Sequence, residues 1–457
     1  MKKTNRRTFI KKYGAAVSGV FLAPTIIPGS ALGKNGHVAP SNRITIGIIG
    51  AGNQAGNDVK GFLRDDRVQI TAVCDVNKES TGYWNGKVAG REFIKQMVVD
   101  AYTEKHGKKY KSCKGYTDFR DVIARDDIDA VEIVTPDHWH AIPVMMAAKA
   151  GKDIYCQKPL ALTIPEGRAM SNAVKKYNVV FQTGSQQRSN EHFRRVCELV
   201  RNGRIGELHT VRCGLPPGTP DFGKTGHLTE TAPVPKGFDY DMWLGPAPEA
   251  PYCPARTHVN FRWVLDYSGG QVTDWGGHHP DIAQWGMDTE HTGPVRIQNA
   301  KATWADHPVW NTATEFYFEC VYANGVKMII SSKEETMGVK FEGTEGSVWA
   351  NRGEHGANPV GLLDTVIGPD EIHLYKSDDH FKNFIDCVIS REEPIAPAEV
   401  AHRSLTSPHL GNIAMMLEED LEWDPVKEQI TNNEKANKML EREMREPWGS
   451  IYKGLLL

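Results

Sequence analysis

The sequence predicts an α/β protein with two large parts. The first is a parallel, doubly wound sheet, and the second is an α+β domain with a large open, mainly antiparallel sheet. Three observations support this fold class. Short apolar segments alternate with helical segments from residue 43 to residue 181, and a run of strand-like segments follows between residues 207 and 342. The chain has 457 residues, which is more than one core ordinarily contains.

The first strand leads into a glycine-rich turn. The β-branched, apolar run ITIGII (44–49) is followed by GAGNQAG (50–56) and by a segment that is compatible with a helix through Leu63. In such a turn the first glycine permits the tight bend, the second lets the backbone approach a pyrophosphate, and the helix N-terminus attracts the negative charge. The third would let the helix lie close to the strand. The residues predicted to bind a dinucleotide here are Gly50, Gly52, Asn53, Gln54 and Gly56, although the GxGxxxG spacing is a variant of GxGxxG. Residues 34–186 are therefore predicted to form a Rossmann domain.

An acidic residue ends the predicted second strand, VQITAVCD (68–75). Asp75 follows Gly52 by 23 residues, where a carboxylate is expected to bind the ribose hydroxyls. Its charge would repel a 2′-phosphate, so NAD is predicted rather than NADP, although Lys78 lies nearby. The alternative is a solvated carboxylate at a strand end.

The alternation resumes after a polar, Lys-rich insertion, residues 78–114, which is predicted to be surface structure. Helices are predicted at 116–124, 140–150 and 165–177, and strands at 130–134, 153–156 and 179–181. Ligands of parallel sheets bind beyond the carboxyl ends of the strands, where TPDHWH (135–140) and QKP (157–159) fall. The cofactor-binding candidates in these segments are Thr135, Pro136, His138, His140, Gln157 and Lys158.

Four motifs in order resemble those of one enzyme family. QKPLALT (157–163) is similar to the pattern EKPxAxT, with Gln157 in place of Glu, and TPDH (135–138) resembles the motif that precedes it. DWGGH (274–278), with Asp281 after it, matches DxGxH, and EGTEG (342–346) resembles the strand-turn that closes the family's open sheet. The chain is identified by these motifs as a member of the Gfo/Idh/MocA oxidoreductases over nearly its whole length after residue 33.

The resemblance implies that Lys158, Asp274 and His278 form the catalytic group. When an alcohol is oxidised, its hydroxyl proton must be removed as hydride leaves the carbon. Histidine is suited to accept that proton near neutral pH, and the lysine and the carboxylate would orient and polarise the substrate. Asp274 and His278 lie four residues apart, so they would share a face if the segment were helical.

Each of these residues has a simpler interpretation. Lys158 would be a surface lysine in a turn, Asp274 a helix cap, and His278 with His279 half of a zinc site. Adjacent residues rarely point at one ion, and the spacing suggests no third ligand, so no metal is predicted.

Candidate substrate contacts lie in the second domain, predicted at residues 187–397. The segment 216–263 is rich in Pro, Gly and aromatic residues, which would stack on a sugar ring and bind its hydroxyls. The predicted substrate-binding residues are Arg188, His258, Arg262, Trp263 and His279. The alternative for this segment is loop packing without a ligand.

The resemblance implies hydride transfer between NAD and a secondary alcohol of a sugar, glycoside or polyol. The alternative is an NAD-dependent glycosidase that oxidises a sugar transiently, eliminates its glycosidic bond and recycles the cofactor internally. The intact Lys158-Pro159 pair favours the dehydrogenase. A sugar-binding relative without catalysis is a third possibility, which the complete Lys–Asp–His set disfavours.

The first 33 residues read as an export signal. Their six charged side chains are all basic, and NRRTF (5–9) precedes an apolar stretch that ends near small residues. Adjacent arginines before Phe9 indicate the twin-arginine route and a periplasmic or exported protein. A Sec signal or an uncleaved membrane tether is the alternative.

The net charge, the apolar runs and the cysteines of the chain limit the kinds of partner that are expected. The net charge is −3 and the chain after residue 33 is mildly acidic, which predicts no nucleic-acid binding, and no later apolar run has the length of a membrane span. The eight scattered cysteines are interpreted as buried small side chains, with a disulfide left possible. The resemblance implies a homo-oligomer, a dimer or tetramer, formed through the open sheet. It also implies that C-terminal helices, residues 398–457, pack back on the Rossmann domain.

Overall fold

The structure, a computed structural model, describes residues 38–39 and 42–456. The predicted signal, residues 1–33, lies outside the described residues. The chain divides into two compact units, of which the first ends at Arg43 and the second begins at Ile44. In the first unit the amide of Asn42 donates a hydrogen bond to the carbonyl of Ala39 (2.8 Å). The elements named below all belong to the second unit.

A six-stranded parallel sheet forms the N-terminal half of this unit, in the order β3-β2-β1-β4-β5-β6. Its strands are β1 (Ile44–Ile49), β2 (Val68–Cys74), β3 (Lys114–Tyr116), β4 (Ala130–Ile133), β5 (Asp153–Cys156) and β6 (Phe181–Thr183). The connecting helices are α1 (Asn53–Leu63), α2 (Arg91–His106), α3 (Phe119–Ile123), α4 (Ala141–Lys149) and α5 (Ile164–Tyr177). The central strands are almost wholly buried, as apolar strands covered by helices on both faces must be. The strand order reverses between β1 and β4, which places the ligand crevice of such sheets there.

The predicted surface insertion, residues 78–114, is instead part of this core. Helix α2 buries Ile94, Val98 and Tyr102, which are spaced four residues apart and therefore form one stripe. The Lys-rich residues on the other faces of the helix hid that stripe in the sequence. The helix predicted at 116–124 begins later than expected, because residues 114–116 form β3 and Asp118 caps α3 by accepting from the amide of Arg120.

A nine-stranded sheet follows, in the order β13-β12-β11-β7-β10-β9-β8-β14-β15. Its first seven strands along the chain are β7 (Leu208–Gly214), β8 (Arg296–Trp304), β9 (Ala313–Val321), β10 (Lys327–Ser331), β11 (Gly338–Gly343), β12 (Gly346–Ala350) and β13 (His355–Asn358). The helices of this region are α6 (Glu191–Arg201), α7 (Tyr240–Leu244), α8 (Gln271–Asp274), α9 (His279–Met287) and α10 (His380–Ser390). All neighbouring strands are antiparallel except β7 and β10. The structure therefore confirms the predicted large, mainly antiparallel sheet.

The two faces of the large sheet differ. One face packs its apolar side chains, including Phe318 and Phe341, against Phe193 of α6 and Ile282 of α9. The other face carries ion pairs, such as Arg212 with Glu335 and Glu342.

The C-terminal segment contains α11 (Ala398–Leu417), β14 (Leu421–Asp424), β15 (Gln429–Ile430), α12 (Glu434–Lys438) and α13 (Trp448–Leu456). The segment predicted as C-terminal helices, residues 398–457, is therefore interrupted by two strands, which is a correction to the prediction. Helix α11 ends where Glu418 adopts a left-handed conformation, and β14 and β15 extend the edge of the large sheet. Leu421 and Trp423 alternate with more exposed neighbours, which is the period of a strand and not of a helix. Helix α11 contacts both α5 and the large sheet, and α13 packs on α4.

Candidate active site

The carboxyl ends of β1, β4 and β5 open into two adjoining cavities, of about 470 and about 770 Å³. The first is lined by predicted cofactor residues: Gly50, Gly52, Asn53, Gln54, Asp75, Thr135, Pro136, Gln157 and Lys158. The second is lined by Asp274, His278 and Arg262, among others. Gln54, Gln157, Lys158, Arg262 and Asp274 face both cavities, so a ligand in one would meet a ligand in the other at these side chains.

The glycine turn has the geometry that a dinucleotide requires. Gly50 has a φ of +98°, and a Cβ there would lie 2.6 Å from the carbonyl oxygen of Val134. At Gly52 a Cβ would approach only the ring of Tyr83, so this backbone faces open space. Among the described residues no side chain caps the N-terminus of α1, which leaves its amides and its positive end available to a pyrophosphate.

Gly56 does not have its predicted role. It lines neither cavity, and it faces Ile94 and Met97 of α2, not the strand. A Cβ at this position would lie 3.6 Å from the nearest atom, an ordinary contact. The third glycine of the motif therefore sits at a helix–helix contact that does not demand it.

Asp75 lies at the end of β2 and shapes the glycine turn. Its Oδ2 accepts from the amide of Ala51 (2.6 Å) and its Oδ1 from the amide of Asn77 (2.7 Å). Burial raises the pKa of this carboxyl, although the two amides and the charge of Arg91 act in the opposite direction. The carboxylate is thus held in place by backbone donors, and it also faces the cofactor cavity.

Two aromatic residues of the insertion lie on the cavity wall and were missed in the sequence. Tyr83 stacks on His258, with ring centroids 4.5 Å apart, and Trp84 stacks on Phe222 at 4.0 Å. The amide of Trp84 donates to the side chain of Asn53 (2.5 Å), which ties the segment to the start of α1. The adjacent aromatic residues in an otherwise polar segment were the available signal.

The Lys158 ammonium and the Asp274 carboxylate form a direct ion pair, and both side chains are more than four-fifths buried. Arg262 approaches the same carboxylate oxygen from 3.8 Å. Burial alone would raise the pKa of Asp274, but the charges of Lys158 and Arg262 and the hydrogen bond from Lys158 lower it below its usual value. Asp274 is therefore ionised at neutral pH and holds Lys158 between the cavities.

His278 is buried, lies between α8 and α9, and lines the second cavity. Burial, reinforced by the charges of Lys158 and Arg352, lowers its pKa well below the usual value. Its ring is consequently neutral at neutral pH, as a proton acceptor must be. Within the described residues Nδ1 is buried and has no hydrogen-bond partner.

Gln157, which stands where the family pattern has Glu, donates to Asp58 (2.6 Å), and Gln54 donates to the other oxygen of Asp58 (2.7 Å). The carboxyl of Asp58 also interacts with that of Glu132, and both carboxyls are fully buried. A third carboxylate at position 157 would add a like charge to this buried pair, whereas an amide donates to it. The departure from the pattern therefore suits this chain's own surroundings.

Two predicted cofactor residues lie behind the cavity wall. His140 is buried, and its Nδ1 and Nε2 face the carbonyls of Pro159 (2.8 Å) and Thr135 (3.0 Å). It thereby links the two strand-end segments that line the cavity. His138 is buried against Trp243, with Nε2 3.0 Å from that residue's carbonyl oxygen. Neither histidine lines either cavity.

Three predicted substrate residues are likewise structural. Arg188 is buried and ion-paired with Asp281 (2.7 Å) and Glu290 (2.6 Å). Trp263 is buried in an aromatic cluster and donates to the carbonyl of Pro220.

His279, the third, is buried and directs Nδ1 at the carbonyl of Gly214 (2.7 Å). These polar side chains satisfy buried partners, so the sequence could not distinguish them from ligand contacts. Of the predicted substrate residues, Arg262 and His258 line a cavity.

The eight cysteines are all buried and unpaired. Within the part of the chain that the structure describes, no group of three or more His, Cys, Asp or Glu side chains is placed to hold a metal ion. No helix among the described residues has the length and apolar character needed to cross a membrane.

Two family profiles match the chain. Residues 44–185 match the oxidoreductase family's NAD-binding Rossmann fold, and residues 194–450 match its C-terminal alpha/beta domain. The chain belongs to the Gfo/Idh/MocA oxidoreductase family. This membership confirms the predicted family, the predicted oxidoreductase class, and NAD as the cofactor.

Relatives of this Gfo/Idh/MocA protein carry several names. The uncharacterized oxidoreductase YrbE of Bacillus subtilis is 24% identical over 81% of this chain and 90% of its own length. An alpha-N-acetylgalactosaminidase of Shewanella oneidensis is 29% identical, but the alignment covers only 46% of this chain and 45% of that protein.

Solved structures share the fold. The aldose-aldose oxidoreductase of Caulobacter crescentus, complexed with glycerol, superposes with a TM-score of 0.57 at 18% identity, over 83% of this chain and 99% of that one. A putative myo-inositol dehydrogenase of Sinorhizobium meliloti superposes with a TM-score of 0.53 at 18% identity, over 83% of this chain and 99% of that one.

Proposed function

We propose that this protein transfers a hydride between NAD and a secondary alcohol of a sugar, glycoside or polyol. The observation that carries the proposal is the placement of Lys158, Asp274 and His278. Lys158 and Asp274 stand between the cofactor cavity and the second cavity, and His278 lines the second cavity. A substrate hydroxyl beside Lys158 would therefore face the reactive end of the cofactor.

NAD would be held by the glycine turn, by the free amides of α1 and by Asp75, and it would supply the hydride acceptor. The chain's own residues manage the proton. His278 is neutral and accepts the hydroxyl proton, while Lys158 donates a hydrogen bond to the substrate oxygen and Asp274 fixes the position of Lys158. The aromatic side chains of Trp84, Phe222 and Trp275 line the second cavity beside this group.

Substitution tests these roles. Lys158→Ala or His278→Ala is expected to abolish turnover and to leave nucleotide binding intact, because the glycine turn, the amides of α1 and Asp75 supply the main contacts to the nucleotide. Equilibrium binding of NAD and steady-state turnover would be measured on the same preparations. Loss of NAD binding alone, with turnover preserved at saturating NAD, would contradict the assignment.

The preference for NAD over NADP is assigned to Asp75. Replacement by Ala removes the negative charge that opposes a 2′-phosphate, whereas Arg91, which donates to the Asp75 carbonyl, keeps its positive charge beside this position. Asp75→Ala is expected to reduce the ratio of NAD to NADP affinity. An unchanged ratio would show that Asp75 does not determine the preference for NAD over NADP.

The second candidate is a glycosidase that uses NAD catalytically. It is favoured by the alpha-N-acetylgalactosaminidase relative, whose alignment reaches about half of either chain. The same three residues would serve both reactions, because the glycosidase also begins with oxidation of a sugar hydroxyl. Elimination would then break the glycosidic bond and release the protonated aglycone, water would add across the double bond left in the sugar, and the hydride would return to the same sugar.

One experiment separates the two candidates. The nucleotide released from the purified protein on denaturation would be analysed by mass spectrometry, before and after incubation with free sugars and glycosides. Conversion of NAD to NADH with one class of sugar supports the dehydrogenase. Cleavage of a glycoside while the nucleotide stays oxidised supports the glycosidase. A protein that neither contains nor binds NAD would rule out both.

We also propose that residues 1–33 direct export by the twin-arginine route. A chain with Arg6 and Arg7 both changed to Lys is expected to remain in the cytoplasm, whereas Lys11→Arg with Lys12→Arg should export normally. Fractionation of cells that express each variant measures this.

A homo-oligomer is proposed to form through the nine-stranded sheet, at the face opposite the apolar core. That face is polar and ion-paired, so we expect assembly to weaken with salt. Light scattering across a salt series would measure the mass, and a monomer at low salt would contradict the proposal.

A further inference from the structure

The second cavity carries an unbalanced charge. Its titratable lining residues are three cations, Lys158, Arg262 and Arg352, one carboxylate, Asp274, and His278. Asp274 is ionised and His278 is neutral at neutral pH, for the reasons given above. The cavity therefore holds three positive charges against one negative charge. The ring of an oxidised nicotinamide is itself a cation, so the cofactor would add to this excess.

The single carboxylate is already shared. Asp274 pairs with Lys158 directly and with Arg262 at 3.8 Å. Arg262 otherwise donates to the carbonyl of Val259 (3.1 Å), which is a neutral partner. Its guanidinium thus has donors left for an anion.

Arg352 is the least compensated of the three. It lies in the turn between β12 and β13, with its guanidinium 4.5 Å above the ring of Trp275. Within the described residues it forms no ion pair and no hydrogen bond to a carboxylate. Stacking on an aromatic ring fixes an arginine while leaving its planar set of donors free, which is a common arrangement for binding carboxylate and sulfate groups.

A buried amide on the same wall also lacks partners. Gln187 is 4% exposed, and both its Oε1 and its Nε2 are buried without a hydrogen-bond partner in the described chain. Leaving both atoms unsatisfied costs free energy, so a polar ligand is expected to bind them. An amide, which both donates and accepts, suits a sugar hydroxyl.

We propose that the substrate is an acidic sugar, whose carboxylate or sulfate group binds Arg352 and Arg262 while Gln187 binds a ring hydroxyl. This inference rests on the proposed function, because it names the class of sugar that the same cavity accepts. Carboxylate and sulfate share the chemistry of a bidentate oxyanion, and arginine binds both through paired N–H donors.

The test is calorimetric titration of the purified chain, with and without NAD, using matched sugars. Glucose, galactose and mannose would each be compared with their uronic acids and 6-sulfates. At least one acidic sugar is expected to bind ~10-fold or more tightly than its neutral counterpart, and raising the salt concentration should weaken only the acidic member. A preference for the uronate or for the sulfate identifies which oxyanion the site accepts. Equal or weaker binding of every acidic sugar would overturn the inference.

Variants distinguish binding of the acidic group at Arg352 from a general attraction of anions to the protein. Arg352→Gln should reduce the affinity for the acidic sugar ~10-fold and leave that of the neutral sugar unchanged. Arg64→Gln, which removes an exposed arginine outside both cavities, should change neither. Gln187→Leu should weaken both members of a pair alike. An equal loss for both members in Arg352→Gln would contradict the assigned role of Arg352.

The two proposals fail differently. A protein that binds no NAD, but still prefers the acidic sugar in the titration without nucleotide, would refute the hydride-transfer proposal and support this one. A protein that reduces NAD with neutral sugars as efficiently as with acidic ones would do the reverse.

Discussion

At the scale of single residues, the protonation of His278 depends on its neighbours. Burial lowers its pKa, and the charge of Lys158 lowers it further. Lys158→Met is therefore expected to raise the pKa of His278 towards its ordinary value, read from the ring resonances of histidine-labelled protein in an NMR titration. Lys382→Met, which removes an exposed lysine, is the control. An unchanged His278 pKa in Lys158→Met would show that burial alone sets it.

The same shift predicts the pH dependence of turnover. A depressed pKa keeps His278 neutral as the pH falls, so the acidic limb of the kcat/KM profile should lie below pH 6.5, the usual value for histidine. A limb at or above pH 6.5 would exclude His278 as the base.

The buried carboxyl pair of Asp58 and Glu132 is expected to make the stability of the protein depend on pH. Neither oxygen of Glu132 has a hydrogen-bond partner within the described residues, and burial together with the charge of Asp58 raises its pKa well above 4.5. Because the folded state binds this proton more tightly than the unfolded state, the pair should cost stability increasingly as pH rises above about 4.5.

Glu132→Gln is expected to remove that penalty, since its amide would donate to Asp58. The variant should be more stable than the parent by about 1–3 kcal/mol at pH 8, with a smaller difference at pH 5. Thermal unfolding at both pH values measures this, and Glu315→Gln, at an exposed ion pair, is the control. A variant that is less stable at pH 8 would show that the carboxyl pair stabilises the fold.

Residue roles were only partly predictable. The motifs grouped Lys158, Asp274 and His278, and the structure brings all three to the second cavity, because each lies at or near the end of a strand or helix. The side chains of Arg188 and Trp263 are equally suited to bind a sugar, but each instead binds a buried partner that is distant in the sequence. Partners of that kind become visible only when the chain is folded.

At the scale of elements, the glycine turn offers a matched pair of substitutions. Gly50→Ala places a Cβ 2.6 Å from the Val134 carbonyl oxygen in a backbone conformation that L-residues disfavour by about 1–2 kcal/mol. We expect lower stability and weaker NAD binding. Gly56 lies within α1, and its replacement by Ala would place a Cβ 3.6 Å from Ile94 of α2, which is an ordinary contact. Gly56→Ala should therefore leave the stability of the fold unchanged or raise it by up to about 1 kcal/mol.

Chemical denaturation and NAD titration of both variants test this pair. If Gly56→Ala proves as damaging as Gly50→Ala, close packing of α1 governs the turn. If neither has an effect, the left-handed conformation of Gly50 is not required for binding.

Elements with a clear pattern of apolar residues were predicted well, whereas elements whose apolar residues are few or surrounded by charged ones were not. The apolar strands β1, β2, β4 and β5 were recognised because they are buried on both faces. Helix α2 was not placed in the core, because Lys and Glu residues surround its single buried stripe. The strands β14 and β15 were missed because four- and two-residue strands are stabilised by pairing to a distant edge and carry little local signal.

At the scale of the whole molecule, the chain's last helix supports its first sheet. Trp448 of α13 packs edge-on against Trp139, with ring centroids 4.6 Å apart, and also approaches Phe119. Trp139 lines the cofactor cavity and donates to the carbonyl of Trp243. Trp448 thus supports Trp139, which forms part of the wall of the cofactor cavity.

This packing predicts a coupled loss. Trp448→Ala should reduce the free energy of unfolding by about 3–5 kcal/mol, the usual cost of emptying a buried aromatic site, and should weaken NAD binding through Trp139. Val426→Ala, at a side chain that is 87% exposed, should change the stability by no more than about 0.5 kcal/mol. Denaturant unfolding and NAD titration on the same samples measure both effects. If stability falls while the affinity for NAD stays constant, the tail supports the sheet without influencing the site, and Trp139 is held by Trp243 and Phe119 without Trp448.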